Sequence, residues 1–188
     1  MPKPLQVIVI HGYGATPESH WFPWLRDQLG AENVTIPVMP DSSAPDADTW
    51  VTIASEAIAG ADANTVVIGH SLGGITALRG IAAQREGLRL AGIVVIAGFA
   101  ENLPGYEPLN PFTVDNLNME SLRAVSPHRT VLVADVDPIL DVAVVRRLAA
   151  RLDANVIEVP GAGHFQADDG VTELPQLMDV LRGIADAD

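Results

Sequence analysis

Ten residues constrain this chain more than any others: Thr65-Val-Val-Ile-Gly-His-Ser-Leu-Gly-Gly74. The first four are apolar or β-branched, the composition of a short strand buried on both faces of a parallel sheet. The next five spell G-x-S-x-G, and Ile75, Ala77, Leu78, Ile81 and Ala82 then recur at helical spacing. A serine on a sharp turn between strand and helix is the setting of a nucleophile elbow. Glycines two residues to either side let the two backbones pass closely, and the hydroxyl stands free at the carboxyl edge of the sheet. In that setting the Leu72 amide, at the positive end of the helix, faces a developing oxyanion. With 16 glycines and seven serines among 188 residues, chance supplies the pattern about 0.05 times per chain. The competing explanation is a glycine-rich turn whose serine does no more than cap a helix.

Composition narrows the setting. A chain of 188 residues, 48% of them hydrophobic, fits one domain over residues 1–188 with a sizeable core. The formal charge of −13, from 24 acidic and 11 basic residues, argues against sequence-independent binding to nucleic acid or to anionic membranes. No cysteine is present, which removes disulfides, thiolate nucleophiles and thiolate metal sites and leaves the redox compartment open. The apolar run over 5–10, interrupted by Gln6, is too short for a signal-peptide core or a membrane span, so a cytoplasmic protein is expected.

Taken in order, residues 5–10 read as a buried strand ending in His11-Gly12-Tyr13-Gly14. A glycine-punctuated loop leaving a central strand offers backbone amides to a ligand, which makes the Tyr13 amide a candidate second oxyanion donor; a plain tight turn would use the same glycines. Residues 17–29 read as a helix whose Trp21, Trp24, Leu25 and Gln28 share a face. That face is chiefly core, with Trp21 also a candidate pocket wall beside the His11 loop. A strand over 33–38, a surface loop over 39–48 and a helix over 50–61 lead to the elbow. Beyond the elbow helix a strand spans 91–97. Residues 98–118 follow with prolines and little periodicity, long and irregular enough to act as a lid yet short beside a cap domain. A helix over 119–125, a strand over 130–134, a helix over 142–152, a strand over 155–159 and a helix over 174–184 complete the chain. Six strands alternating with helices, with every connection long enough for a right-handed crossover, predict a single-domain α/β fold. Its parallel six-stranded sheet carries helices on both faces and no large cap domain.

A serine hydroxyl is a poor nucleophile unless a base takes its proton. Of the five histidines, His70 lies inside the elbow with its side chain expected to point away from the serine. His11 opens the first loop, His20 falls on the 17–29 helix and His128 precedes a strand. His164 has the required setting, in a loop just past the carboxyl end of the last strand, where the loops of the active edge converge. The base in turn needs a carboxylate to fix its tautomer. Asp135, Asp137 and Asp141 all follow the penultimate strand. Asp141 is better explained as an acid at a helix N-terminus, and Asp137 precedes a proline that keeps it extended outside the helix. Asp135 sits at the strand end, where it could satisfy backbone amides instead. Chemistry favours Asp137 over Asp135 and leaves both open. The chain order serine, aspartate, histidine is that of an α/β-hydrolase.

On these residues the chain resembles a known family, the small serine hydrolases of α/β-hydrolase fold that include retinoblastoma-binding protein 9 and its bacterial relatives. The likeness spans nearly the whole chain. It runs from the glycine loop after the first strand through His20-Trp21-Phe22-Pro23-Trp24-Leu25 and Gly69-His-Ser-Leu-Gly73. It continues through Asp137-Pro138 and Gly161-Ala-Gly-His-Phe165 to an acidic stretch and Glu173-Leu-Pro175. The resemblance implies Ser71, Asp137 and His164 as a catalytic triad, and hydrolysis of small esters or amides with neither metal nor cofactor. One departure matters: without cysteine, an L-x-C-x-E motif for docking on a retinoblastoma-type pocket is impossible.

The expectation is therefore a serine hydrolase that cleaves small carboxylic esters, or thioesters or amides, through an acyl-serine intermediate. The amides of Leu72 and Tyr13 would hold the oxyanion, and Tyr13, Trp21, Phe99 and Phe165 would wall the substrate pocket. The partner expected is a small-molecule ester, with neither nucleic acid nor membrane involved. Two rival readings keep the fold: a perhydrolase that uses peroxide in place of water, and a catalytically weak binding protein.

Overall fold

Short runs rich in valine and isoleucine pair side by side, all parallel, as β1 (Gln6–Ile10), β2 (Val34–Thr35), β3 (Thr65–His70), β4 (Gly92–Ile96), β5 (Arg129–Ala134) and β6 (Asn155–Val159). They are seen in a computed structural model that describes residues 4–84, 86–113 and 117–187. The strand order is β2-β1-β3-β4-β5-β6. From β1 the chain runs out to the edge at β2, returns past β1 to β3, and then proceeds steadily to β6. This reversal opens a crevice beyond the carboxyl ends of β1 and β3, where open α/β sheets bind ligands.

Because successive strand residues face opposite sides, the two-sided apolar pattern feeds two cores. Ile8, Ile10, Val67, Ile93, Val95, Val131 and Val133 pack with α2 (Ala47–Ile58), α3 (Leu72–Ala82), α4 (Met119–Val125) and α5 (Val142–Leu152). Their neighbours Val7, Val9, Val66, Ile68, Val94, Ile96 and Leu132 pack with α1 (Phe22–Leu29) and α6 (Pro175–Ala185). The expected doubly covered parallel sheet is the observed one.

Three elements differ from expectation by more than a single residue, each for a local reason. The predicted helix over 17–29 starts only at Phe22, because His20 adopts φ +56°, a left-handed conformation that no right-handed helix contains. The strand expected over 33–38 pairs only at Val34–Thr35; Pro37 follows and has no N–H to give to a ladder. The helix expected from residue 50 begins at Ala47, since the Asp46 carboxylate accepts the Thr49 N–H at 2.9 Å and so caps it earlier. Of the segment considered as a lid, residues 114–116 lie outside the described residues. Its described part forms a 3-10 turn at Glu107–Phe112 whose Phe112 ring packs edge-on against Trp50, centroids 5.9 Å apart.

The elbow explains its own glycines. Ser71 has φ 55° and ψ −123°, a strained conformation for a residue with a side chain. The turn is so sharp that a Cβ on Gly69 would lie 2.5 Å from the Gly73 carbonyl oxygen, and one on Gly73 would lie 2.0 Å from the carbonyl oxygen of Ile10. Backbone, not a flexible side chain, occupies that space, so it cannot yield cheaply. Gly73→Ala is therefore expected to lower stability by roughly 3 kcal/mol or more, against a change within about 0.5 kcal/mol for Gly60→Ala, where an added Cβ meets nothing within 4 Å. Urea denaturation midpoints of the two variants check this.

Candidate active site

Ser71 stands at the end of β3 with its N–H donated to the Ile96 carbonyl at 2.9 Å and its own carbonyl accepting from Gly74 N–H at 2.8 Å. Those bonds fix the main chain and leave the hydroxyl free to meet another partner. That partner is His164, whose Nε2 lies 2.8 Å from Ser71 Oγ. The other ring nitrogen, Nδ1, is 2.8 Å from Asp137 Oδ2. A carboxylate only accepts, so Nδ1–H donates to Asp137 and Nε2 is left to accept the Ser71 O–H. Both the His164 and Asp137 side chains are 2% exposed.

The three acids after β5 have three separate jobs. Asp137 turns back so that Oδ1 accepts the N–H groups of Ile139 (2.8 Å) and Leu140 (2.9 Å), which leaves Oδ2 for the imidazole. Asp135 instead accepts Gly161 N–H at 2.7 Å, which holds the start of the His164 loop and lowers the Asp135 pKa below the usual aspartate value. Asp141 caps α5, accepting from Ala143 N–H at 2.9 Å. Of the two candidates left open by sequence, Asp137 is the one in contact with His164.

The His164 loop turns through positive φ at Gly161, Gly163 and Phe165; glycine adopts this freely, and Phe165 carries the strain. Sequence reading missed the residue that holds its centre. Asp169 Oδ2 accepts from the N–H of His164 at 2.8 Å and of Gln166 at 3.2 Å, and a Cβ on Gly163 would strike that carboxylate at 2.5 Å. Gln166-Ala-Asp-Asp169 forms a capping box, and its Q-x-x-D spacing inside the acidic stretch was the available signal. His20 was expected on a helix; it lies before one, and its Nδ1 accepts the Ala167 N–H at 3.1 Å. His11 is buried and accepts the Met39 N–H on Nε2 at 3.2 Å. Burial lowers the pKa of both rings below the ordinary histidine value.

Beside Ser71 and His164 lies a cavity of about 330 Å³ walled by Tyr13, Leu72, Phe99, Leu103, Tyr106, Leu109, Ile139 and Leu140. Among the described residues, no aspartate, glutamate, lysine or arginine lines it. Of the four side chains expected to wall a substrate pocket, Tyr13 and Phe99 line this cavity. Trp21 and Phe165 do not: both are fully buried in the core on the α1 and α6 side of the sheet. Trp21 packs edge-on against Phe22, centroids 4.6 Å apart, and Phe165, at φ +58°, packs into the core immediately after His164. The walls that sequence reading missed come from the irregular segment after β4 and from the loop after Asp137. Arg79 holds the first of these through Nη1, which donates to the Pro111 carbonyl at 3.0 Å. The amides of Tyr13 and Leu72 make no hydrogen bond among the described residues.

Comparison with known proteins gives one answer. Residues 7–183 match the serine hydrolase family. YdeN of Bacillus subtilis is 35% identical over 178 residues, 94% of each chain. The crystal structure of the ydeN gene product superposes with a TM-score of 0.90, covering 96% of this chain and 98% of that one. Serine hydrolase RBBP9 of Rattus norvegicus is 24% identical over 190 residues, covering 98% of this chain and 97% of its own. A YdeN-like hydrolase from Pectobacterium atrosepticum, 18% identical, shares the fold at a TM-score of 0.74 and covers 97% of this chain and 91% of its own. Matched over nearly its whole length in sequence and in fold, the chain belongs to the serine hydrolase family and has the α/β-hydrolase fold.

Proposed function

We propose that the protein cleaves neutral carboxylic esters with an apolar acyl group through an acyl-serine intermediate. The observation that carries this reading is the single imidazole bonded at 2.8 Å to Ser71 Oγ on one side and at 2.8 Å to Asp137 on the other. His164 takes the Ser71 proton as the oxygen attacks, then returns it to the departing alcohol; Asp137 holds the tautomer and balances the imidazolium. Water repeats the sequence to release the acid. The oxyanion of each tetrahedral intermediate falls to the amides of Leu72, at the positive end of α3, and of Tyr13, neither committed to a hydrogen bond among the described residues.

The cavity supports the choice of substrate. Beyond Ser71, His164 and Gln166 its walls are chiefly aliphatic and aromatic, and with no lysine or arginine lining it among the described residues an acyl group ending in carboxylate or phosphate would be desolvated without an ion-pair partner. The net charge of −13 opposes such anions further. A cavity of about 330 Å³ is the size of a small-molecule site.

Three outcomes are expected. Ser71→Ala abolishes ester turnover and covalent labelling by a fluorophosphonate probe, and turnover at the wild-type rate in that variant would refute the reading. Asp137→Asn lowers kcat roughly 1,000- to 10,000-fold, whereas Asp135→Asn, which touches the loop and not the imidazole, costs less than about tenfold. Across p-nitrophenyl acetate, butyrate and hexanoate, kcat/KM rises by up to roughly fourfold per methylene. An adipate hemiester, with a carboxylate at the chain end, falls below acetate; a flat series, or a preference for the hemiester, would overturn the substrate class.

A further inference from the structure

Several groups hold the loop that presents His164. Asp135 ties its start, Asp169 its centre and His20 its end, but none of these lies on the strand that carries Ser71. His70 does. It is the last residue of β3, immediately precedes Ser71, and its Nε2 lies 2.8 Å from the main-chain oxygen of His164. A carbonyl only accepts, so Nε2 carries the proton and, in the neutral ring, Nδ1 carries none.

The ring is 1% exposed. It packs edge-on against Trp21 and Phe22, with centroids 6.2 Å away in each case, and against His20 at 5.4 Å. Its Nδ1 is buried with no hydrogen-bond partner among the described residues. An unpaired buried lone pair is a standing cost, and packing alone would be met better by phenylalanine or leucine. What a hydrocarbon cannot supply is the Nε2–H. Resting on the hydrolase reading above, we propose that His70 is a positioning residue. From the nucleophile's own strand, its Nε2–H grips the His164 carbonyl and so sets the distance between base and serine.

The geometry gives this grip its use. Asp137 constrains the far side of the imidazole and Asp169 the N–H of its residue, but neither measures the gap to Ser71. His70 closes that loop of constraints, since the His164 main chain hangs from the residue next to Ser71. Burial pushes the His70 imidazole well below the ordinary histidine value, and the neighbouring His164 pushes it the same way. A neutral ring suits the site, because a second positive charge with centroids 5.5 Å apart would oppose the imidazolium that forms on His164 during attack.

Two substitutions separate donation from packing. His70→Phe keeps an aromatic ring and removes the donor; His70→Gln keeps an N–H in reach of the same carbonyl. With p-nitrophenyl butyrate, kcat in His70→Phe is expected to fall roughly 10- to 100-fold, the scale of a base displaced by about 1 Å, with KM within about twofold. Fluorophosphonate labelling of Ser71 slows in proportion, and His70→Gln recovers to within about fivefold of wild type. A His70→Phe protein with wild-type kcat and only a lower Tm would overturn the proposal, leaving His70 a packing residue. Should that variant fail to fold, ¹⁵N-histidine NMR of the wild-type chain decides: the Nε2–H tautomer at His70 supports the grip, and the Nδ1–H tautomer overturns it. The underlying reading fails separately. A wild-type protein that is neither labelled nor active on any ester removes both, whereas a labelled wild type with equally fast His70→Phe removes only the positioning role.

Discussion

One imidazole with two hydrogen bonds sets the demands on the rest of the molecule. His164 meets Ser71 and Asp137 at 2.8 Å each, although the three residues are separated by 93 and 27 positions along the chain. Tolerances of a few tenths of an ångström across such separations cannot be held by loops alone. They are held because β3, β5 and β6 lie in one sheet with fixed register. Their carboxyl ends therefore emerge on one rim, and each loop has only a few residues over which to wander.

The rim is also where backbone strain collects. Ser71, His20 and Phe165 all have positive φ without being glycine, a conformation that costs of order 1–3 kcal/mol each. Every one of them is flanked by a bond that repays part of that cost. Ser71 N–H donates to Ile96, the His20 ring accepts from Ala167, and Phe165 N–H donates to Ala162. The two apolar cores, one on each face of the sheet, supply the stability on which these local costs are charged. The same turns that are unfavourable alone leave the serine hydroxyl and the imidazole within hydrogen-bonding distance of each other.

How much of this was legible follows from what kind of signal each feature leaves. The elbow was readable because a sharp turn between strand and helix admits only glycine at Gly69 and Gly73, whose missing Cβ atoms leave a pattern in the sequence. Asp141 was readable as a cap because capping is local. Asp135 and Asp137 were hard to separate, since both follow one strand and the choice between them depends on which carboxylate a loop 27 residues later approaches. Trp21 and Phe165 were misjudged as pocket walls for a related reason. Adjacency to a site residue does not fix direction, and both rings turn into the sheet's other face. His70 left no signal of its role, because its partner is a main-chain oxygen that any residue at position 164 would provide.

The sequence by itself determined the parallel doubly covered sheet, the elbow and the residue types available for chemistry, because hydrophobic period, β-branching and glycine spacing are short-range properties of the chain. Only the tertiary structure decided which aspartate meets the imidazole, which side chains wall the cavity, and that His70 and Asp169 hold the histidine's main chain. Those outcomes are set by strand register and by backbone turns with positive φ. Such turns redirect a side chain by their geometry, and that geometry is stable only when distant parts of the chain close around it.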